Sequence, residues 1–156
     1  MNMLERDEDS RPLAESPVPV SISAAFEGSE EIAVARDLAR SFLSDVQTHH
    51  GLEVSADTVD IVQLVVSELV TNVRRHAPGP FLLTLEALSE AVEVTVWDTE
   101  PDLPLPRPAD PTRVGRHGLE IVMALCRSFA IHREPVGKRI TATLALTDPL
   151  GDETCR

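Results

Sequence analysis

The stretch Ala56–Gly79, ADTVDIVQLVVSELVTNVRRHAPG, decides the fold of this chain. Its apolar residues recur three or four positions apart from Val59 to Val73, which predicts a helix with one buried face. Asp57 is suited to the N-cap position, and a Pro-Gly pair follows Ala77. The predicted helix therefore runs from Asp57 to Ala77.

Polar side chains follow one edge of this predicted helix. At about 100° per residue, Glu68, Asn72 and His76 succeed each other at steps of four, and Arg75 lies beside them. These groups suit a cleft between the helix and a sheet, but they could equally form the wetted rim of an amphipathic helix. The outward side is predicted to carry four other polar residues: Asp60, Gln63, Ser67 and Arg74.

Composition limits the class of protein. The chain has 156 residues, of which 42% are hydrophobic and 26% charged, as in a single globular domain. A formal net charge of -12 disfavours direct nucleic-acid binding and anionic membrane surfaces. The sequence contains no apolar run near the roughly 20 residues of a membrane span, and its N-terminus is acidic, unlike a signal peptide. We therefore expect a cytoplasmic protein in which Cys126 and Cys155 are reduced.

The flanks of the long helix predict one domain over residues 17–147. Residues 1–16 are charged and unpatterned, which predicts a disordered leader, and 148–156 are expected to form a flexible tail. Within the domain, the alternation around Pro19 predicts an edge strand. A helix over Glu30–Gln47 is expected to follow.

Downstream of Pro80 the apolar period changes from about 3.6 to 2, which predicts strands. The proline-rich residues 99–114 are interpreted as a mobile lid or, alternatively, as a stiff surface loop. The stretch Gly115–Leu119 is expected to open a helix that continues through Glu120–Ser128, with Met123 among its inward residues. The predicted strands are Phe81–Ala87, Val92–Trp97, Phe129–Arg133 and Arg139–Leu146.

This order of elements predicts an α+β fold. We expect a two-layer α/β sandwich in which a mainly antiparallel mixed sheet is covered on one face by three helices. In the strand before the proline-rich segment, Val92, Val94 and Val96 should face one way, and Trp97 should face the other.

Three separated features suggest one nucleotide site. The polar stripe, Asp98 at a strand end, and the pair Gly115 and Gly118 at a helix start could meet adenine, Mg²⁺ and phosphates respectively. Each feature has a simpler alternative. Asp98 could be a turn residue, the glycines could serve backbone geometry alone, and His117 could be a cap-region residue.

Four motifs resemble those of the GHKL ATPase superfamily, which includes gyrase and histidine kinases. SELVTNVRRHA (Ser67–Ala77) is similar to its N box, and VTVWDTEPDLPLPRP (Val94–Pro108) to its first glycine box. GRHGLEIV (Gly115–Val122) resembles the second glycine box, and GKRITATLAL (Gly137–Leu146) the closing strand. The similarity is closest to the anti-sigma-factor serine kinases and their actinobacterial relatives, and it implies a Bergerat-type ATP-binding fold.

The resemblance also implies roles for individual residues, with ATP and Mg²⁺ as cofactors. Glu68 would be the catalytic general base, Asn72 the Mg²⁺ ligand, and Asp98 the acceptor for the adenine amino group. Further residues are expected near the nucleotide: Arg75, His76, Gly115, His117, Gly118, Leu119 and Lys138.

The function that the resemblance implies is an ATP-binding regulatory protein. It would sequester a sigma factor, phosphorylate a serine or threonine of an antagonist protein, or do both. A homodimer is the assembly that the resemblance implies. The alternative is a catalytically inactive interaction module of the same fold. Glu100 stands where a glycine is usual, and Gly115 is displaced from its usual position, which keeps that alternative open.

Overall fold

The computed structural model describes residues 20–77, 79–99 and 116–147, with only the backbone for 116–118. The predicted leader (1–16), the tail (148–156) and nearly all of the proline-rich segment (99–114) lie outside these ranges. The elements in chain order are β1 (Val20–Phe26), α1 (Ile32–His50), α2 (Ala56–His76), β2 (Phe81–Ala87), β3 (Ala91–Asp98), α3 (Arg116–Leu125), β4 (Ser128–Arg133) and β5 (Lys138–Ala145).

The sheet has five strands in the order β1-β2-β3-β5-β4. Every pairing among the described residues is antiparallel, so the prediction of a mixed sheet was wrong in that detail. The crossover through α3 does make β3 and β4 run in the same direction. No parallel pair forms, however, because β5 lies between them and is hydrogen-bonded to both.

The helices cover one face of the sheet, which confirms the predicted two-layer α+β sandwich. α2 is the central helix: it packs on β3 and β5, α1 lies against it and reaches β2, and α3 lies against it and reaches β5. In β3, Val92, Val94 and Val96 have no exposed surface, whereas Trp97 is 39% exposed. The predicted alternation is therefore confirmed, and the burial of β-branched residues against α2 forms the core.

The starts of two helices differ from prediction. α2 is capped by Ser55, not Asp57, because the Thr58 amide donates to Ser55 Oγ at 3.1 Å. α1 begins at Ile32 rather than Glu30. The Glu30 carboxylate is used in the preceding loop instead, where it accepts hydrogen bonds from the amides of Glu27 and Gly28. These bonds hold the pKa of Glu30 below its usual value.

Two other boundaries were also wrong. α1 continues past Gln47 to His50 and ends at Gly51, whose φ of 71° is the left-handed geometry of a helix C-terminus. α3 ends at Leu125, and Met123 is 56% exposed instead of inward. None of the helices within the described ranges is long and apolar enough to cross a membrane.

Candidate functional site

The C-terminal half of α2 and the end of β3 lie at the same end of the fold. At the opposite end, Thr58 Oγ1 in the first turn of α2 donates to the carbonyl of Ala145 at 3.2 Å, and Ala145 pairs with Ala91 at the start of β3. Asn72 is about 21 Å further along α2, and Asp98 is about 23 Å further along β3. The two residues that the sequence assigned to Mg²⁺ and adenine therefore lie at one end.

Asn72 and Asp98 also share the layer between α2 and the sheet. Asp98 continues the buried alternation of β3 and is 1% exposed, while Asn72 is 5% exposed on the buried side of α2. No described residue is hydrogen-bonded to the side-chain amide of Asn72. Within the described ranges, the fully buried side-chain atoms without a partner are Ser67 Oγ and Arg139 Nε, and the amide of Asn72 is not one of them.

Contacts with α1 identify the flank of α2 on which Asn72 lies. Gln63 Nε2 donates to the Arg36 carbonyl at 3.5 Å, and Arg74 Nη1 donates to the Glu30 carbonyl at 2.8 Å. At about 100° per residue, Asn72 is on the opposite flank, the side of α3.

The predicted outward side of α2 was therefore partly wrong. Gln63 contacts α1, Arg74 contacts the loop that precedes α1, and the buried Ser67 Oγ has no hydrogen-bond partner among the described residues. Only Asp60 of that set is fully exposed. Polar side chains can face either a neighbouring helix or solvent, and sequence periodicity does not distinguish these two environments.

Asp98 forms a buried ion pair with Lys138, the first residue of β5. Lys138 Nζ lies 2.7 Å from Asp98 Oδ2, and the Lys138 amide donates to Asp98 Oδ1 at 3.2 Å. The side chain of Asp98 is 1% exposed, and that of Lys138 is 2% exposed. Removing two charges from water is costly, and the short contact with its second hydrogen bond offsets that cost.

The turn before Lys138 contacts the end of β3 directly. Gly137 has a φ of 83°, and a Cβ placed there would lie 1.8 Å from the Asp98 carbonyl oxygen. Beside it, Trp97 Nε1 donates to the Val136 carbonyl at 3.0 Å. The turn therefore fixes the backbone of Asp98 while Lys138 fixes its carboxylate.

The other predicted site residues have varied positions. Glu68 and His76 are half-buried, His76 with an interaction partner, and Arg75 is exposed. Leu119 is partly buried against the core. His117 and Gly118 lie in the first turn of α3, and Gly115 lies outside the described residues. The roles of all these residues stay predictions.

Lys138 makes two of the bonds to the Asp98 carboxylate, which has about four acceptor positions and a further interaction partner. The role of Asp98 as an acceptor for the adenine amino group stays a prediction. Sequence reasoning missed the Asp98–Lys138 pair, because only the register of β3 against β5 brings the two residues together.

The thiol of Cys126 does not suit nucleophilic chemistry. It is partly buried beside the core, and burial raises its pKa to about 11. A thiol with that pKa is neutral near pH 7, and the thiolate is the reactive form. That Cys126 and Cys155 are reduced stays a prediction, and Cys155 lies outside the described residues.

Known proteins are similar to this chain. The family model described as "Histidine kinase-like ATPase domain" matches residues 29–144. Twelve solved chains match, among them the histidine kinase domain of the EL346 blue-light activated histidine kinase from Erythrobacter litoralis, at 20% identity and a TM-score of 0.47. That match covers 79% of this chain and 64% of the solved one, so this chain spans slightly less than two thirds of its relative. A search of curated proteins found no match.

Proposed function

This chain belongs to the family of histidine kinase-like ATPase domains, and on that premise we propose that it is a nucleotide-dependent regulator of the anti-sigma-factor serine kinase type. Membership of an ATPase family implies ATP binding. The observation that carries the site assignment is the burial of Asn72 and Asp98 in one layer at one end of the fold. Asp98 would accept from the adenine amino group, and Asn72 would hold Mg²⁺.

When bound, Mg·ATP supplies the phosphoryl group, and the chain supplies positioning and charge stabilisation. Glu68 lies one helical turn before Asn72 and is half-buried. In the proposed mechanism Glu68 would orient the attacking hydroxyl. The proposed acceptor is a serine or threonine of an antagonist protein, and the proposed binding partner is a sigma factor, with a homodimer as the assembly.

Nucleotide binding can be measured with the protein's own fluorescence. Trp97 is the sole tryptophan of a chain without tyrosine, and it precedes Asp98 directly. We expect Mg·ATP to change its emission with a saturable dependence on concentration. Asn72→Ala should weaken binding about tenfold or more, because losing a hydrogen bond to a charged group costs about 1.5–3 kcal/mol.

Gln63→Ala is the matched control, since Gln63 lies on the α1 flank of the same helix. Its affinity for Mg·ATP should stay within about twofold of the wild type. If the folded wild type shows no saturable response to Mg·ATP in fluorescence or calorimetry, the proposed nucleotide site is wrong.

Phosphoryl transfer separates the kinase from the alternative, a catalytically inactive interaction module, which Glu100 and the displaced Gly115 keep open. With labelled ATP and a candidate antagonist protein, we expect transfer that Glu68→Gln lowers about 10²–10⁴-fold, the usual contribution of a general base. Nucleotide affinity should change little. Asp60→Asn, on the exposed side of α2, is the control and should transfer phosphate normally.

Two outcomes would contradict the kinase proposal. Transfer by Glu68→Gln at the wild-type rate would remove Glu68 from the mechanism. Saturable ATP binding with no transfer to any candidate protein would favour the inactive interaction module.

A further inference from the structure

A polar hollow lies on the outer side of α2. Its volume is about 460 Å³, and it opens between the C-terminal part of α2, the start of α1 and two loops. At about 100° per residue, Thr71 and Arg74 lie a quarter turn or more from Asn72, so the hollow opens mainly away from Asn72, with Arg75 between the two. The hollow is lined by Gly28, Ile32, Thr71, Arg74, Arg75 and Gly79.

The two arginines of this hollow have no carboxylate partner. The chain has 26 acidic and 14 basic residues, yet neither Arg74 nor Arg75 forms an ion pair with any described carboxylate. The only hydrogen bond that either makes among the described residues runs from Arg74 Nη1 to the Glu30 carbonyl, a neutral acceptor. Two neighbouring guanidinium groups therefore keep their charge unneutralised on an otherwise acidic protein.

The start of α1 forms another part of the lining. Ile32 is the first residue of the 19-residue helix α1, whose N-cap residue Glu31 makes no side-chain cap bond and whose first turn has no acidic side chain. The free amides and dipole at that helix start favour an anion. Two carboxylates, those of Glu30 and Glu31, directly precede Ile32 in the sequence, and the Glu30 carboxylate accepts hydrogen bonds from the amides of Glu27 and Gly28.

Glycines keep one side of the hollow open. A Cβ at Gly28 would lie 2.7 Å from the Gly79 carbonyl oxygen, so the two loops meet backbone to backbone. No side chain from either glycine can fill the space in front of the arginines. The hollow therefore has donors from Thr71 and two guanidinium groups and enough volume for a tetrahedral anion.

We propose that this hollow is a phosphate-binding site, separate from the nucleotide site, for a free phosphate ion or a phosphorylated serine side chain. Guanidinium groups bind phosphate oxygens in pairs of parallel hydrogen bonds, which favours phosphate over monovalent anions such as chloride. The dianion neutralises both arginines at once. This assignment does not depend on ATP binding or turnover, and it gives Arg75 a ligand other than the nucleotide.

The test is a ³¹P NMR titration of the full chain with inorganic phosphate and with blocked phosphoserine, at constant ionic strength. We expect saturable line broadening for the wild type, and Arg75→Gln should weaken it about tenfold or more. Arg75 is exposed and contacts no described partner, so its replacement should leave the fold intact. Arg74→Gln should have a similar effect, with circular dichroism to confirm that α1 remains docked.

Two controls make the result specific. Arg36→Gln removes the same charge from an exposed position of α1 outside the hollow, and Asn72→Ala removes the proposed Mg²⁺ ligand; both should bind phosphate within about twofold of the wild type. Tighter binding of phosphoserine identifies a side chain as the source of the phosphate, and equal binding identifies the free ion. Absence of saturable binding, or equal losses in Arg36→Gln and Arg75→Gln, would overturn the proposal.

Discussion

Replacing Lys138 by methionine is expected to lower the free energy of unfolding by about 3–5 kcal/mol, the usual cost of removing one partner from a buried ion pair. Methionine fills a similar volume but leaves Asp98 without its ammonium partner at a position that is 1% exposed. The backbone hydrogen bond from residue 138 remains, so the expected loss isolates the side-chain contact. The measurement is urea unfolding followed by the fluorescence of Trp97.

Arg40→Met is the matched control for the buried pair. Arg40 and Asp37 form an ion pair at 3.0 Å in which both side chains are more than 60% exposed, so the loss should be below about 1 kcal/mol. The double variant Lys138→Met with Asp98→Leu should recover part of the loss, because no uncompensated charge remains. A loss for Lys138→Met no larger than that for Arg40→Met would mean that the pair does not stabilise the fold.

Replacing Gly137 by alanine is expected to cost more than about 4 kcal/mol, the range reserved for severe steric or backbone strain. The new Cβ would lie 1.8 Å from the Asp98 carbonyl oxygen, and the φ of 83° is unfavourable for alanine. Relief requires the turn to move away from β3, which also breaks the contacts of Lys138. Urea unfolding and the yield of folded protein are the measurements.

Two other glycines serve as references for the stability cost of a glycine-to-alanine replacement. Gly51 has a similar φ of 71° but nothing within 4 Å of its Cβ position, so Gly51→Ala should cost only the strain of that backbone, about 1–2 kcal/mol. At Gly28 the nearest atom is 2.7 Å away, so its loss should lie between the other two. This series keeps the prediction testable even if Gly137→Ala does not fold. Equal costs at Gly51 and Gly137 would contradict the steric explanation.

Both predictions concern the residue proposed to bind adenine. Lys138 and Gly137 hold the carboxylate and the backbone of Asp98, so the acceptor is positioned before any ligand arrives. A variant that loosens either contact is expected to weaken nucleotide binding as well as stability. The turn at residues 135–138 is therefore part of the proposed nucleotide site even though it need not touch the nucleotide.

The sequence alone determined the order of the elements and the buried faces of α2 and β3, because these depend on local periodicity. The valines of α2 and the alternation of β3 predict which faces are buried, and a motif of neighbouring residues on one helix predicts the position of Asn72. Only the tertiary structure decided which distant side chains meet. The register that places Lys138 against Asp98 and the docking of α1 beside Arg74 depend on contacts between residues far apart in the chain, and the periodicity of a single segment carries no information about its partner.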